Sequence, residues 1–252
     1  MKKTRKPWHE QDEFWSTFAA SIFDEERKAL APVEVEQILR LLAIEPSQHV
    51  CDLCCGVGRH AVELAKRGFA VTAVDRTRRY LHAARSHARD AGVKIEFVHE
   101  DMRQFSRLGA FDAVLNLFTS FGYFKTPGED RQVIENIHRS LKPGGKLLID
   151  VIGKEILARI FRARDWRPVG NAMMLEERRV INDWGGIESR WVMVKDGRQQ
   201  EWLFSHRIYA ATELRGLVES CGFQDVAVYG SLSGTPYDEK AERLVVAGRT
   251  RP

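Results

Sequence analysis

The sequence contains no apolar run approaching the roughly 20 residues that a bilayer-spanning helix requires. Its opening, MKKTRKPWHEQDEFW, is basic but has no apolar stretch of the kind a secretory leader uses, so a cytoplasmic protein is expected. Internal repeats and low-complexity tracts are missing, which excludes a repeat architecture. Cysteine is scarce: Cys51, Cys54 and Cys55 crowd into one segment and Cys221 stands far away, so there is no disulfide framework. Cys51 and Cys54 have CxxC spacing, but no second such pair and no histidine cluster completes a ligand set. The expectation is small buried or loop residues and no metal. Nor is there a large excess of one charge. The 39 basic and 35 acidic side chains leave a net +4 spread along the chain, which permits an anionic substrate without demanding nucleic acid.

What is present suits one folded unit. At 252 residues, 44% hydrophobic and 29% charged, the chain can bury a full core with an insertion beside it. The most informative stretch is HVCDLCCGVGRHAVELAKRGFAVTAVDRTRR, from His49 to Arg79. Val50 to Leu53 read as a buried strand, and Gly56, Val57 and Gly58 turn the chain. Ala61, Val62, Leu64 and Ala65 give an apolar helix face, and Ala70 to Val74 form a second strand. A helix opening at such a loop presents unpaired N–H groups and a positive dipole end to an anionic group. Asp75 ends the second strand about 20 residues beyond the first glycine, where a carboxylate can accept hydrogen bonds from ribose hydroxyls.

Gly56 to Ala61 fits the dinucleotide fingerprint, whose last position tolerates alanine. Three further features tilt the reading. Asp52, just before the loop, would repel a dinucleotide's phosphates and suits a cationic amino group. Glu100-Asp101-Met102 follows a third strand, Ile95 to Val98. The turn Leu141-Lys142-Pro143-Gly144-Gly145 leads into a later strand, Lys146 to Val151. In this order the segments DLCCGVGRH, AVD, EDM, FDAVLNLFTSFGYF and LKPGGKLLIDV resemble the class I S-adenosylmethionine-dependent methyltransferases. The resemblance runs from His49 to Val151 and resumes in the C-terminal helix and strands. One position departs from the pattern: Cys54 stands where the family's loop has its first glycine.

The organisation fits an α/β, Rossmann-like, doubly wound seven-stranded sheet with an antiparallel last strand. Residues 1–47 read as N-terminal helices. Glu13 to Phe23 carries Phe14, Trp15, Phe18, Ala19 and Ile22 at helical spacing, for packing or as a lid, and Pro32 begins a second helix. Residues 48–152 and 211–252 form the cofactor domain, with a fourth strand at Ala113 to Leu117 and a capping-box helix start at Thr126-Pro127-Gly128-Glu129. Between them, 153–210 read as a helix and an antiparallel β-meander of three strands, Met173 to Ile181, Ile187 to Val194 and Glu201 to Tyr209. This lobe, with the N-terminal aromatic helix, is expected to form the acceptor pocket, with a homodimer surface or a stabilising flap as the other reading.

The resemblance also implies roles. Backbone at Cys54, Gly56 and Gly58, with Asp52, Arg59 and His60, would meet the methionine end of S-adenosylmethionine. Asp75 would hold the ribose and Arg76 cover the adenine. Asp101 and Met102 would bind the adenine edge, and Asn116 and Leu117 would lie at the sulfonium. Asn116-Leu117-Phe118-Thr119 lacks the prolines and aromatic end of the tetrapeptide found in the family's nucleic-acid amino methylases. The expectation is therefore methyl transfer to O or N of a small molecule, with Tyr123 or His206 as base. An RNA or protein methyltransferase, an NAD-dependent oxidoreductase and a non-catalytic adenosylmethionine-binding regulator remain the alternatives.

Overall fold

Alternating apolar runs and amphipathic helices in the first 150 residues build parallel strands joined by helical crossovers. In the computed structural model, which describes residues 6–252, these are β1 (His49–Leu53), β2 (Ala70–Asp75), β3 (Glu96–His99), β4 (Phe111–Asn116) and β5 (Leu141–Val151). Residues 1–5, and with them the opening of the basic N-terminal run, lie outside the described residues. β10 (Gln224–Tyr229) and β11 (Leu244–Arg249) complete a seven-stranded sheet of order β10-β11-β5-β4-β1-β2-β3. β11 runs antiparallel to both of its neighbours, as the sequence led one to expect of the last strand.

Both faces of the sheet are covered. On one lie α2 (Glu25–Leu42), α3 (Arg59–Lys66) and α4 (Arg78–Asp90), which bury Val35, Ile38, Leu64 and Leu81 against Val50, Val71 and Leu115. On the other, α5 (Pro127–Ser140) and α7 (Ala211–Ser220) set Val133, Ile134, Ile137, Leu214 and Val218 against Val114, Leu147 and Ile149. α5 starts with the expected capping box, Thr126 and Glu129 bonding reciprocally. No described helix is long and apolar enough to cross a membrane.

Pro32 does not begin a helix. α2 starts seven residues earlier, where the Asp24 carboxylate accepts the Arg27 N–H, and Pro32 sits exposed inside it. A good cap outweighs one missing backbone donor on a solvent-facing turn. β5 likewise begins at Leu141 and not at Lys146. Phe111 pairs with Leu141 and Ala113 with Lys146, so the Lys-Pro-Gly-Gly turn is looped out within one strand.

After α6 (Lys154–Ile160), the second sheet has four strands where the patterning predicts three: β6 (Arg164–Val169), β7 (Ala172–Ile181), β8 (Gly186–Lys195) and β9 (Arg198–Arg207). β6 escapes a sequence reading because RDWRPV mixes charge and proline, which an edge strand tolerates. One face of this sheet packs against α1 (Asp12–Ile22): Phe14 and Phe18 meet Met174, Met193, Trp202 and Phe204. Much of the aromatic stripe is thus core. The sheet returns to the main domain at Gly122, whose carbonyl accepts the Arg207 N–H at 2.7 Å.

Candidate functional site

β1 and β2 end side by side, and the glycine loop hangs between them. The N–H groups of Cys54 and Cys55 both donate to the Val74 carbonyl, at 2.8 and 3.0 Å. Gly56 (φ +55°) and Gly58 (φ +79°) take left-handed backbone. A Cβ at Gly58 would lie 2.9 Å from Ala84 Cβ, and one at Gly56 would lie 2.7 Å from the Phe23 ring. Cys54 also adopts positive φ, +67°, and its Sγ reaches Met102 Sδ at 3.4 Å. Burial drives its thiol well above the usual range, so the residue is an inert wall.

Asp75 locks the loop. Its Oδ2 accepts the Gly56 N–H at 2.9 Å and its Oδ1 the Thr77 N–H at 2.7 Å. Burial raises its carboxyl against the pull of these two donors. Each oxygen keeps a lone pair for a further donor. Asp52 is different: it is 2% exposed, its Oδ2 has no partner among the described residues, and burial pushes it up to about 6 against the attraction of His60 and Arg59. Beside it, Arg59 donates to Glu34 and to the Arg27 carbonyl but leaves Nη2 unpartnered. His60 meets the same Glu34 carboxylate at 2.8 Å. Burial acts to raise Glu34, but His60 and Arg59 outweigh it and hold it below its ordinary value.

These groups face a crevice at the carboxyl ends of the parallel strands, with about 930 Å³ of open space including its mouth. It brings together Asp52, Cys54, Gly56, Arg59, His60, Asp75, Arg76, Asp101, Met102, Leu117 and Tyr123. Three expected residues stand elsewhere. Gly58 packs beneath, on Ala84. Asn116 is fully buried and donates to the Leu53 carbonyl at 3.2 Å, so it braces β1 against β4. His206 borders a second cavity.

Others are present but committed. Arg76 donates to the backbone carbonyls of His9 and Glu10, so its guanidinium ties the N-terminal segment down instead of lying free to cover a ring. Asp101 accepts from the Arg103 backbone and guanidinium, and Arg103 also grips Glu10 and Glu129. Burial acts to raise Asp101, but Arg103 outweighs it and holds the carboxyl low. The Tyr123 hydroxyl donates to the Thr119 carbonyl at 2.8 Å, and burial pushes its phenol up, so it stays protonated and cannot serve as base. Half-buried His206 is pushed down to about 4 by burial.

The aromatic helix expected to pack or to serve as a lid borders the crevice as its roof, and His9, which the sequence did not single out, joins it from the preceding 3₁₀ turn. His9, Trp15, Ile22 and Phe23 close the crevice from the N-terminal segment. Trp15 and Phe23 both pack edge-on against Tyr80. For His9 itself, the signal lay in the aromatic density of WHEQDEFW. The turn after β4 lines the crevice with Phe118, Ser120, Tyr123 and Phe124, in a backbone shape that its sequence does not reveal. Phe118 and Thr119 both take left-handed backbone, and Asp150 accepts the Phe118 N–H at 2.9 Å while Arg243 pairs with its other oxygen. The guanidiniums of Arg27, Arg59 and Arg243 surround the Phe118 ring within 4.9 to 5.5 Å.

The chemistry of this donor set fits adenosylmethionine. An unpartnered carboxylate oxygen on Asp52 and an unpartnered guanidinium nitrogen on Arg59 match the ammonium and carboxylate of an amino acid. The spare lone pairs of Asp75 match a diol. A pyrophosphate would stand beside a buried acid.

Residues 50–145 match the family model described as "Methyltransferase domain". YqeM of Bacillus subtilis (strain 168), whose name proposes a methyltransferase, is 28% identical over 212 residues, 77% of this chain and 81% of that one. A Geobacillus sp. (strain WCH70) protein with a similar name is 34% identical over 128 residues. The chain spans about half of that relative's length, 52% of it, and the match takes in 51% of this chain. Among solved structures, an S-adenosylmethionine-dependent methyltransferase from Clostridium acetobutylicum ATCC 824 superposes with a TM-score of 0.76 at 15% identity, covering 95% of this chain and 97% of that one. The sugar N-methyltransferase KedS8 from Streptoalloteichus sp. ATCC 53650 gives 0.67 at 19% identity, covering 87% of each. At such identities the superpositions speak for the fold.

Proposed function

We propose that the chain is a class I S-adenosylmethionine-dependent methyltransferase that transfers the methyl group of that cofactor to an O or N atom of a small molecule. When bound, the cofactor supplies a methyl carbon on a sulfonium sulfur. The chemistry it would supply is displacement at that carbon, the acceptor's lone pair forming the new bond and the sulfur keeping the pair of the broken one.

The protein's part is holding, orienting and excluding water. Asp52 and Arg59 would take the ammonium and carboxylate of the amino-acid end, beside the backbone of Cys54 and Gly56. Asp75 would accept from the ribose hydroxyls, and Met102 and Asp101 would border the adenine. Arg76, already bonded to the roof, would act by keeping that roof shut. The observation that carries this reading is the pair of buried, unpartnered polar atoms on Asp52 and Arg59 flanking the glycine loop.

The roof supports the reading of a small acceptor. His9, Trp15 and Phe23 line the crevice from the N-terminal segment, an enclosure that suits a small acceptor. The sugar substrate in the name of KedS8, a protein of like fold, is consistent with this reading. The acceptor's approach lies between the crevice and the four-stranded sheet, where Tyr123, Phe124 and His9 border both cavities. Incubating the protein with metabolite extract and methyl-labelled adenosylmethionine should yield a labelled small molecule. Labelling confined to RNA or protein would overturn the acceptor class.

A further inference from the structure

A base is needed when the acceptor atom carries a proton, and neither residue expected from the sequence suits the task. Tyr123 is locked as a protonated donor to Thr119, and His206 lies in the side cavity. A third group stands between the two spaces. His9, on a 3₁₀ turn at Trp8–Glu10, is 5% exposed, and its ring borders both the cofactor crevice and the second cavity. Its backbone carbonyl is taken by Arg76 and Trp15, while its ring nitrogens have no hydrogen-bond partner among the described residues.

The ring is held in place without using those nitrogens. Tyr123 stacks on it at 6.5 Å between centroids, and Phe124 and Trp8 meet it edge-on at 5.3 and 5.7 Å. The turn itself is fastened from three sides: by Arg76 after β2, by Arg103 gripping Glu10, and by Trp8 Nε1 donating to the Ser205 carbonyl of β9 at 3.0 Å. So much fixing for an imidazole with free nitrogens points to a group kept for a ligand.

We propose that His9 is the catalytic base, its ring nitrogen taking the proton of an acceptor O–H or N–H that reaches the methyl carbon from the second cavity. This rests on the methyltransferase reading above and adds to it both the proton's destination and the acceptor's protonic class. The proton leaves the acceptor atom for the neutral imidazole, and the imidazolium then releases it to water through the second cavity. Charge balances: the cofactor's positive charge leaves as that proton.

The groups facing His9 agree with a neutral imidazole. Arg76 and Arg103 disfavour its protonation, Glu10 and Asp101 favour it, Tyr123 stays neutral, and His206 and Arg207 border the far cavity wall. Burial is the largest influence, and together with Arg103 it holds the imidazole below its ordinary value of 6.5.

The test combines a titration and a transfer assay. In the S-adenosylhomocysteine complex of the labelled protein, the NMR resonance lost in His9→Gln should titrate below pH 6.5. Titration above that value would overturn the proposal. With labelled adenosylmethionine and extract, His9→Gln should lose about a hundredfold or more of the wild-type labelling rate and its acid-limb pH dependence. Its adenosylhomocysteine affinity should stay within about threefold, which excludes misfolding. His206→Gln should keep that acid limb. Equal labelling by wild type and His9→Gln would overturn the inference alone. No labelled product from wild-type protein that binds adenosylhomocysteine would overturn the transferase reading, and the inference with it.

Discussion

The proton on Asp52 offers a quantitative handle on cofactor recognition. Burial raises this carboxyl from 3.8 to about 6 in the free protein, and its Oδ2 has no partner among the described residues. An ammonium group placed against it should pull the value back down, so binding at pH 5 must first remove a proton. At pH 5 a group of pKa about 6 is about one-tenth ionised, so affinity for S-adenosylhomocysteine should be about tenfold weaker there than at pH 7.5. Asp52→Asn should bind weakly at both values and lose this dependence. The same shift has a stability consequence. Asp52 is raised on folding, so its stabilising contribution is present below pH 3.8 and is lost as pH rises through about 6. The ionised group then costs about 3 kcal/mol, so ligand-free Asp52→Asn should melt above wild type at pH 7.5 and alongside it near pH 4. Calorimetric titrations at the two pH values, with thermal melts of both proteins, check this. Equal pH dependence in wild type and Asp52→Asn would refute the reasoning.

Asp75→Ala removes the acceptor of two loop N–H groups as well as the ribose partner, at about 1.5–3 kcal/mol per charge-assisted bond. Adenosylhomocysteine affinity should fall at least about tenfold by calorimetry, and unchanged affinity would show that Asp75 only braces the loop. Gly122→Ala places a Cβ 2.5 Å from the Arg207 carbonyl at φ +91° and should lower stability by about 2 kcal/mol or more in denaturant unfolding. Phe14→Ala opens the aromatic core between α1 and the four-stranded sheet, at about 3–5 kcal/mol if that interface unfolds with the rest. It should also weaken cofactor binding by loosening the roof, and an unaltered affinity would mean that the roof is held by Arg76 and Arg103 alone.

The parallel half of the fold was legible because its strands are short apolar runs separated by glycine turns and amphipathic helices, a local pattern with little ambiguity. The cofactor loop, Asp52 and Asp75 stood out for the same reason. What failed was whatever depends on tertiary partners. Nothing in RDWRPV signals that β7 will pair with it, and the Asp24 cap that carries α2 through Pro32 competes with a strong proline signal. Arg76 does line the crevice, but its guanidinium is bonded to backbone that the local sequence gives no hint of. Its neighbours His9 and Glu10 arrive from 66 residues away or more, beyond any local pattern. Asn116 sits at the right strand end but turns toward Leu53, a choice that β1–β4 packing makes. His9 itself looks like an ordinary polar residue between two tryptophans until the turn folds over the crevice.

The most direct test of the account is a calorimetric titration of the purified protein with S-adenosylhomocysteine, S-adenosylmethionine and NAD at pH 7.5. Saturable one-to-one binding of both sulfur compounds is expected, with much weaker binding of NAD. Tight NAD binding with no response to adenosylhomocysteine would contradict it.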